Sequence, residues 1–132
     1  MKGRFIRRED VAIENLDWST LGWVLSPSST AAKMITFIEL TIKPGMGHNF
    51  HLHPKQEEVI MVVEGQVEQW LEQEKTILTP GEAVFISPGV VHASFNPGSK
   101  LAKAIVVLSP SAGESGVDSI EVGEQEPWVS LR

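Results

Sequence analysis

Between Thr20 and Leu108 the chain divides into apolar runs of about five to ten residues separated by Pro, Gly and Asn. Helical periodicity is nearly absent, and runs of this length predict β-strands. Leu21–Leu25 reads as a short strand ended by Ser26-Pro27-Ser28-Ser29. Met34–Lys43 alternates, with Met34, Thr36, Ile38, Leu40 and Ile42 on one face and Glu39, Thr41 and Lys43 on the other. That is a half-buried strand, closed by Pro44-Gly45. Further strands are predicted at Glu58–Val63, Gln66–Glu72, Lys75–Leu78, Ala83–Ser87, Val90–Phe95 and Leu101–Leu108. Pro-Gly pairs at 44–45, 80–81, 88–89 and 97–98 each force a turn, so the strands suit a compact all-β body. Two segments break the pattern, Val11–Trp18 and Ser109–Arg132. The second carries Gly113, Gly116 and Gly123 with apolar islands at Val117, Ile120, Val122 and Trp128. It is expected to lie over the barrel as a loop-rich strap, ordered where the islands dock.

Composition narrows the class without changing this picture. A chain of 132 residues, 42% apolar and 21% charged, fits one soluble domain with its own core. No apolar run reaches spanning length, so neither a transmembrane helix nor a membrane partner is expected. The basic start Met1–Asp10 has no hydrophobic stretch behind it, which makes the cytoplasm the expected location. The absence of cysteine excludes disulfides, thiolate metal sites and a Cys nucleophile. A net charge of −6 argues against nucleic acid as a main partner. The four tryptophans, Trp18, Trp23, Trp70 and Trp128, are expected in the core or at a subunit interface rather than on an aromatic binding platform.

Candidate chemistry concentrates in Gly45–Gly65. His51 and His53 alternate with Leu52, so on an extended strand both imidazoles project to one side. Pro54-Lys55-Gln56 then breaks the strand, and Glu58–Val63 reads as its return. If the two pair as a hairpin, a carboxylate lies beside two imidazoles. Nitrogen and oxygen donors together suit a divalent transition metal (Fe, Mn, Zn, Ni or Cu) better than a hard ion held by oxygen alone. A second stretch, Gly81–Asn96, places His92 after the Pro88-Gly89 turn, with His92, Ser94 and Asn96 on one face.

These two stretches resemble the paired motifs of the cupin superfamily. Gly45, His51, His53, Glu58 and Gly65 fit the first, with four residues between His53 and Glu58. Gly81, Gly89, His92 and Asn96 fit the second, with Ser87 where the family usually has proline. Fifteen residues separate the motifs, and the resemblance covers about residues 34–108 of a single domain, 1–132. It implies a cupin jelly-roll β-barrel with an N-terminal extension, and His51, His53, Glu58 and His92 as metal ligands. Glu57 competes with Glu58, but only Glu58 leaves six residues before Gly65, and neighbouring strand carboxylates point to opposite faces. His48 falls outside the motif and is expected in a loop or behind the ligands.

The expected pocket lining is Phe37 or Ile38, Met46, Phe50, Gln69, Ser94 and Phe95, of which Phe50, Gln69 and Ser94 are taken as substrate-binding. Such a mostly apolar cavity suits a small aromatic or carbonyl compound. Three imidazoles and one carboxylate leave open positions on an octahedral ion for substrate or O₂. The favoured reading is a metal-dependent, dioxygenase-like oxidoreductase. An isomerase or decarboxylase using the metal as a Lewis acid, and a small-molecule binding protein without turnover, are the alternatives. No general base can be assigned beyond the weak candidates Glu57 and His48. A homodimer is expected, because Met61 and Val63 lie opposite Ile60 and Val62 and need cover.

Overall fold

A computed structural model describes residues 2–132. In chain order the strands are β1 (Ala12–Asn15), β2 (Ser19–Leu25), β3 (Thr36–Ile42), β4 (Gly47–Leu52), β5 (Glu57–Glu64) and β6 (Val67–Leu71). They continue as β7 (Glu74–Leu78), β8 (Ala83–Ile86), β9 (His92–Phe95), β10 (Ala102–Ser109) and β11 (Ile120–Glu121). All named pairings are antiparallel. One sheet has six strands in the order β1-β2-β3-β10-β5-β8, and the other has five in the order β11-β4-β9-β6-β7. The expected all-β double-sheet barrel is therefore what forms. Among the described residues, no helix is long and apolar enough to cross a membrane.

The alternation read from β3 holds: Thr36, Ile38, Leu40 and Ile42 are buried and their neighbours are half-exposed. With Ile60, Val62, Val67, Val84, Ile86, Val106 and Leu108, the three apolar ones, Ile38, Leu40 and Ile42, form the core between the sheets. A second apolar cluster lies on the far side of the five-stranded sheet, where Phe50, Trp70, Val91, Phe95 and Val122 pack with Trp128 and Leu131. The tail thus straps the barrel as expected, docking through Val117, Val122 and Trp128, whereas Ile120 stays exposed. Val11–Trp18 is more ordered than its composition suggests, since β1 forms the sheet edge on β2.

One expectation is corrected. The strand carrying His51 and the strand carrying Glu58 do not pair as a hairpin. β4 belongs to the five-stranded sheet and β5 to the six-stranded one, so their side chains meet across the barrel interior. The chain also changes sheets between β5 and β6, at Gly65. There φ is +75°, and a Cβ would lie 2.9 Å from the Leu101 carbonyl, so this corner needs glycine.

Candidate metal centre

Four side chains converge from the facing sheets. His51 lies on β4, His53 just beyond it, His92 on β9 and Glu58 on β5. Their exposures are 4%, 4%, 0% and 6% respectively. Antiparallel pairing sets His51 directly opposite His92. Donor nitrogens of His51, His53 and His92 all lie within 4.8 Å of one another. Glu58 Oε1 comes to 3.3 Å from His53 Nε2 and 2.8 Å from His92 Nε2.

The backbone fixes which nitrogen of each ring faces inward. His51 Nδ1–H donates to the Asn49 carbonyl at 2.7 Å, and His92 Nδ1–H donates to the Val90 carbonyl at 3.0 Å. His53 Nδ1–H is shared between the Asp118 carbonyl at 3.0 Å and Ser119 Oγ at 3.1 Å. With every Nδ1 committed as a donor, each neutral ring presents the Nε2 lone pair to the centre. His53 Nε2, His92 Nε2 and Glu58 Oε1 are buried without an aligned hydrogen-bond partner, despite their short separations. Buried polar atoms are rarely left so. Converging imidazole nitrogens with a carboxylate oxygen are the donors a divalent transition ion takes. The residues fit such an ion.

Titration behaviour agrees with that chemistry at His51 and Glu58, while without an ion His53 is biased toward its protonated form. Burial, reinforced by the neighbouring His48 and His92, holds the His51 pKa well below the usual imidazole value. His51 is therefore neutral and able to ligate at ordinary pH. Burial also pulls His53 down, but Glu58 and the Asp118 carbonyl outweigh it and raise its pKa. Burial pushes the Glu58 carboxyl up, yet His53 and His92 overcome it and hold the pKa at about 2.

A cavity of about 160 Å³ opens onto these residues. Trp18, Leu21, Trp23, Ile38, Val106 and Val117 give it an apolar wall, and Ser94 and Ser119 add hydroxyls beside the imidazoles. Several expectations about this lining need correction. Phe50 is fully buried in the outer cluster, because strand alternation turns it away from His51. Gln69 faces inward but lies one layer behind the cavity, accepting a 2.7 Å hydrogen bond from Ser94 Oγ. Phe95 packs with Phe50, Met46 is largely exposed, and Ile38 rather than Phe37 reaches the cavity. Glu57 is exposed on the face opposite Glu58.

The expectation that all four tryptophans lie in the core or at an interface is also corrected. Trp18 and Trp23 line the cavity, whereas Trp70 and Trp128 pack against Phe50, so the four tryptophans split into two pairs. His48 stacks on His51 with ring centroids 3.6 Å apart and 9° between planes, and its Nε2–H donates to Glu121 at 2.9 Å. His51 is three positions after His48, and plain alternation would put the two on opposite faces. A register shift between them gives β4 one more residue than β9, and this bulge brings both rings inward. Sequence carries no clear signal of that extra residue.

The family model described as a cupin domain matches residues 38–108. The chain belongs to the cupin family. Over 89 residues it is 28% identical to the tetracenomycin polyketide synthase protein TcmJ of Streptomyces glaucescens, covering 67% of this cupin and 60% of that protein. Among solved structures it resembles the polyketide cyclase RemF from Streptomyces resistomycificus, with TM-score 0.74, 21% identity and 98% of both chains covered. KdgF from Halomonas sp. gives TM-score 0.72 at 19% identity, covering 83% of this cupin and 96% of that chain. The departure at Ser87 leaves the cupin turn intact. Val90 N–H closes it on the Ser87 carbonyl at 3.2 Å, and Gly89, at φ +81°, donates to the His53 carbonyl at 2.9 Å.

Proposed function

We propose that this cupin is a metal-dependent enzyme for a small, flat, largely apolar compound carrying carbonyl or phenolic oxygens. The observation that carries this reading is the set of inward Nε2 atoms, their Nδ1 positions tied to backbone carbonyls, beside a tryptophan-walled cavity. His51, His53, His92 and Glu58 would hold the ion. Bound there, a divalent cation supplies a Lewis acid that polarises a substrate oxygen. Trp18 and Trp23 orient a planar ring and exclude water, and the Ser119 hydroxyl lies within reach of a polar substituent. The polyketide names of TcmJ and RemF support cyclisation or isomerisation of an enolisable carbonyl compound.

The test is elemental analysis of protein purified without added metal, beside His51→Ala. Wild type is expected to carry close to one zinc, nickel or manganese per chain, and the variant almost none. Iron or copper with O₂ uptake on small phenols and diketones would move the assignment to the dioxygenase-like oxidation favoured by the sequence. No metal in wild type, even after reconstitution, would sink the metal reading.

The functional unit is a homodimer in this proposal. Cross-strand pairing lines up Phe85, Val59, Val107 and Phe37 across β8, β5, β10 and β3 on the outer face. Beside that row Ala83, Met61 and Ile105 form a second one. Val59, Met61, Val63 and Phe85 are exposed, and so apolar a sheet face calls for cover. A second copy offers the same patch about a twofold axis.

A further inference from the structure

Gln56 lies between the ligands His53 and Glu58 and is 1% exposed. Its amide is fully used, and every partner lies in the C-terminal strap. Nε2 donates to the Pro110 carbonyl at 2.8 Å and the Gly116 carbonyl at 2.9 Å. Oε1 accepts from the Asp118 backbone N–H at 2.9 Å. Only this orientation satisfies two carbonyls and one N–H together. Asp118 in turn offers the carbonyl that holds His53 Nδ1. Gln56 therefore reaches His53 by a closed path through the strap, in addition to the short loop that joins them in the chain.

Two further contacts tighten the same path. Thr36 Oγ1 lies 2.8 Å from both Ser111 Oγ and the Gly116 carbonyl. Gly116 sits at φ +96°, and a Cβ there would come 2.2 Å from Thr36 Oγ1, so the strap touches the barrel at a point that admits no side chain. Beyond the pin, Val117 and Ser119 form part of the cavity wall. The amide that orients His53 thus also seats one side of the pocket.

We propose that Gln56 is a positioning residue of the metal centre, acting by pinning the 110–119 strap so that the Asp118 carbonyl fixes His53 in its ligating tautomer. This rests on the metal reading of His51, His53, Glu58 and His92. Linkage makes the effect reciprocal: an ion that needs His53 so placed favours the seated strap, and an unseated strap weakens ion binding.

The experiment measures Zn²⁺ affinity by competition with a chromophoric chelator, using the full chain. Gln56→Ala removes the pin from the barrel side, Gly116→Ala lifts the strap from the tail side, and Lys55→Ala is an exposed neighbouring control. Circular dichroism checks folding, and Gly116→Ala decides if Gln56→Ala does not fold. Both variants should bind about 10–100-fold more weakly than wild type, with the control unchanged. A second readout is cleavage at Glu114 by a glutamate-specific protease. Zn²⁺ should slow it in wild type and protect neither variant. Wild-type affinity in a folded variant, or Zn²⁺ protection unaltered by both changes, would overturn the proposal while leaving the metal site standing. A wild type that binds no Zn²⁺ would defeat the metal reading itself, and the positioning role with it.

Discussion

At the scale of single residues, the centre is set by what each imidazole is not free to do. Three rings give up Nδ1 to backbone or strap acceptors, and the Nε2 atoms of His53 and His92 meet a buried carboxylate. The pH dependence follows with a definite sign. Glu58, near 2 when folded against an ordinary 4.5, contributes stability above about 4.5 that is lost as pH falls toward 2. His51 acts in the same direction. The unfolded chain takes up a proton near 6.5 while folded His51 resists it, so acidification below 6.5 favours unfolding. His53, raised on folding, opposes them: it favours the fold below 6.5 and loses that effect as pH rises through its folded value. The denaturant midpoint of metal-free protein should therefore drop between neutral pH and about pH 4, and drop less in His51→Phe. An unchanged midpoint would contradict the burial assigned to His51.

At the scale of elements, β2 and the strap wall the pocket. Trp23 is held by an indole N–H donated to Glu14 of β1 at 3.1 Å, so the edge strand indirectly sets a cavity wall. Trp23→Ala should weaken binding of a hydroxynaphthalene about tenfold or more, as loss of a buried aromatic contact worth about 1.5–3 kcal/mol would. Metal content should stay at the wild-type level; a fall in both would mean that the indole supports the ligands instead. Legibility in the sequence follows the same lines. Pro-Gly turns and period-two alternation mark β3 to β10, and the His51, His53, Glu58 and His92 spacing marks the site, because both depend on local chain geometry. Sheet membership is not local. Nothing between His53 and Glu58 says that their strands enter different sheets, so the hairpin was the natural expectation. The single-residue bulge that turns His48 inward is equally silent, whereas the outward turn of Phe50 follows from its place next to His51 on β4.

At the scale of the whole molecule, the proposed homodimer rests on the outer face of the six-stranded sheet. Its apolar rows sit over β5 and β10, the strands that also carry Glu58 and much of the core. Light scattering at micromolar concentration should give the mass of a dimer, and Met61→Glu with Phe85→Glu should give a monomer that keeps its metal. A monomeric wild type would leave the exposed rows without the partner assigned to them.

The two sheets also bear on how such a body resists being opened. His51 and His92 belong to one layer and Glu58, 2.8 Å from His92, to the other, so an ion held by all of them as proposed would be a rivet through the sandwich. Prising the layers apart would then require breaking coordination bonds, whereas without the ion the layers are joined there by apolar packing and the Glu58 contacts to His53 and His92. The seam nearest the metal centre would become a firmly fastened joint, and the loaded protein would be the stiffer one.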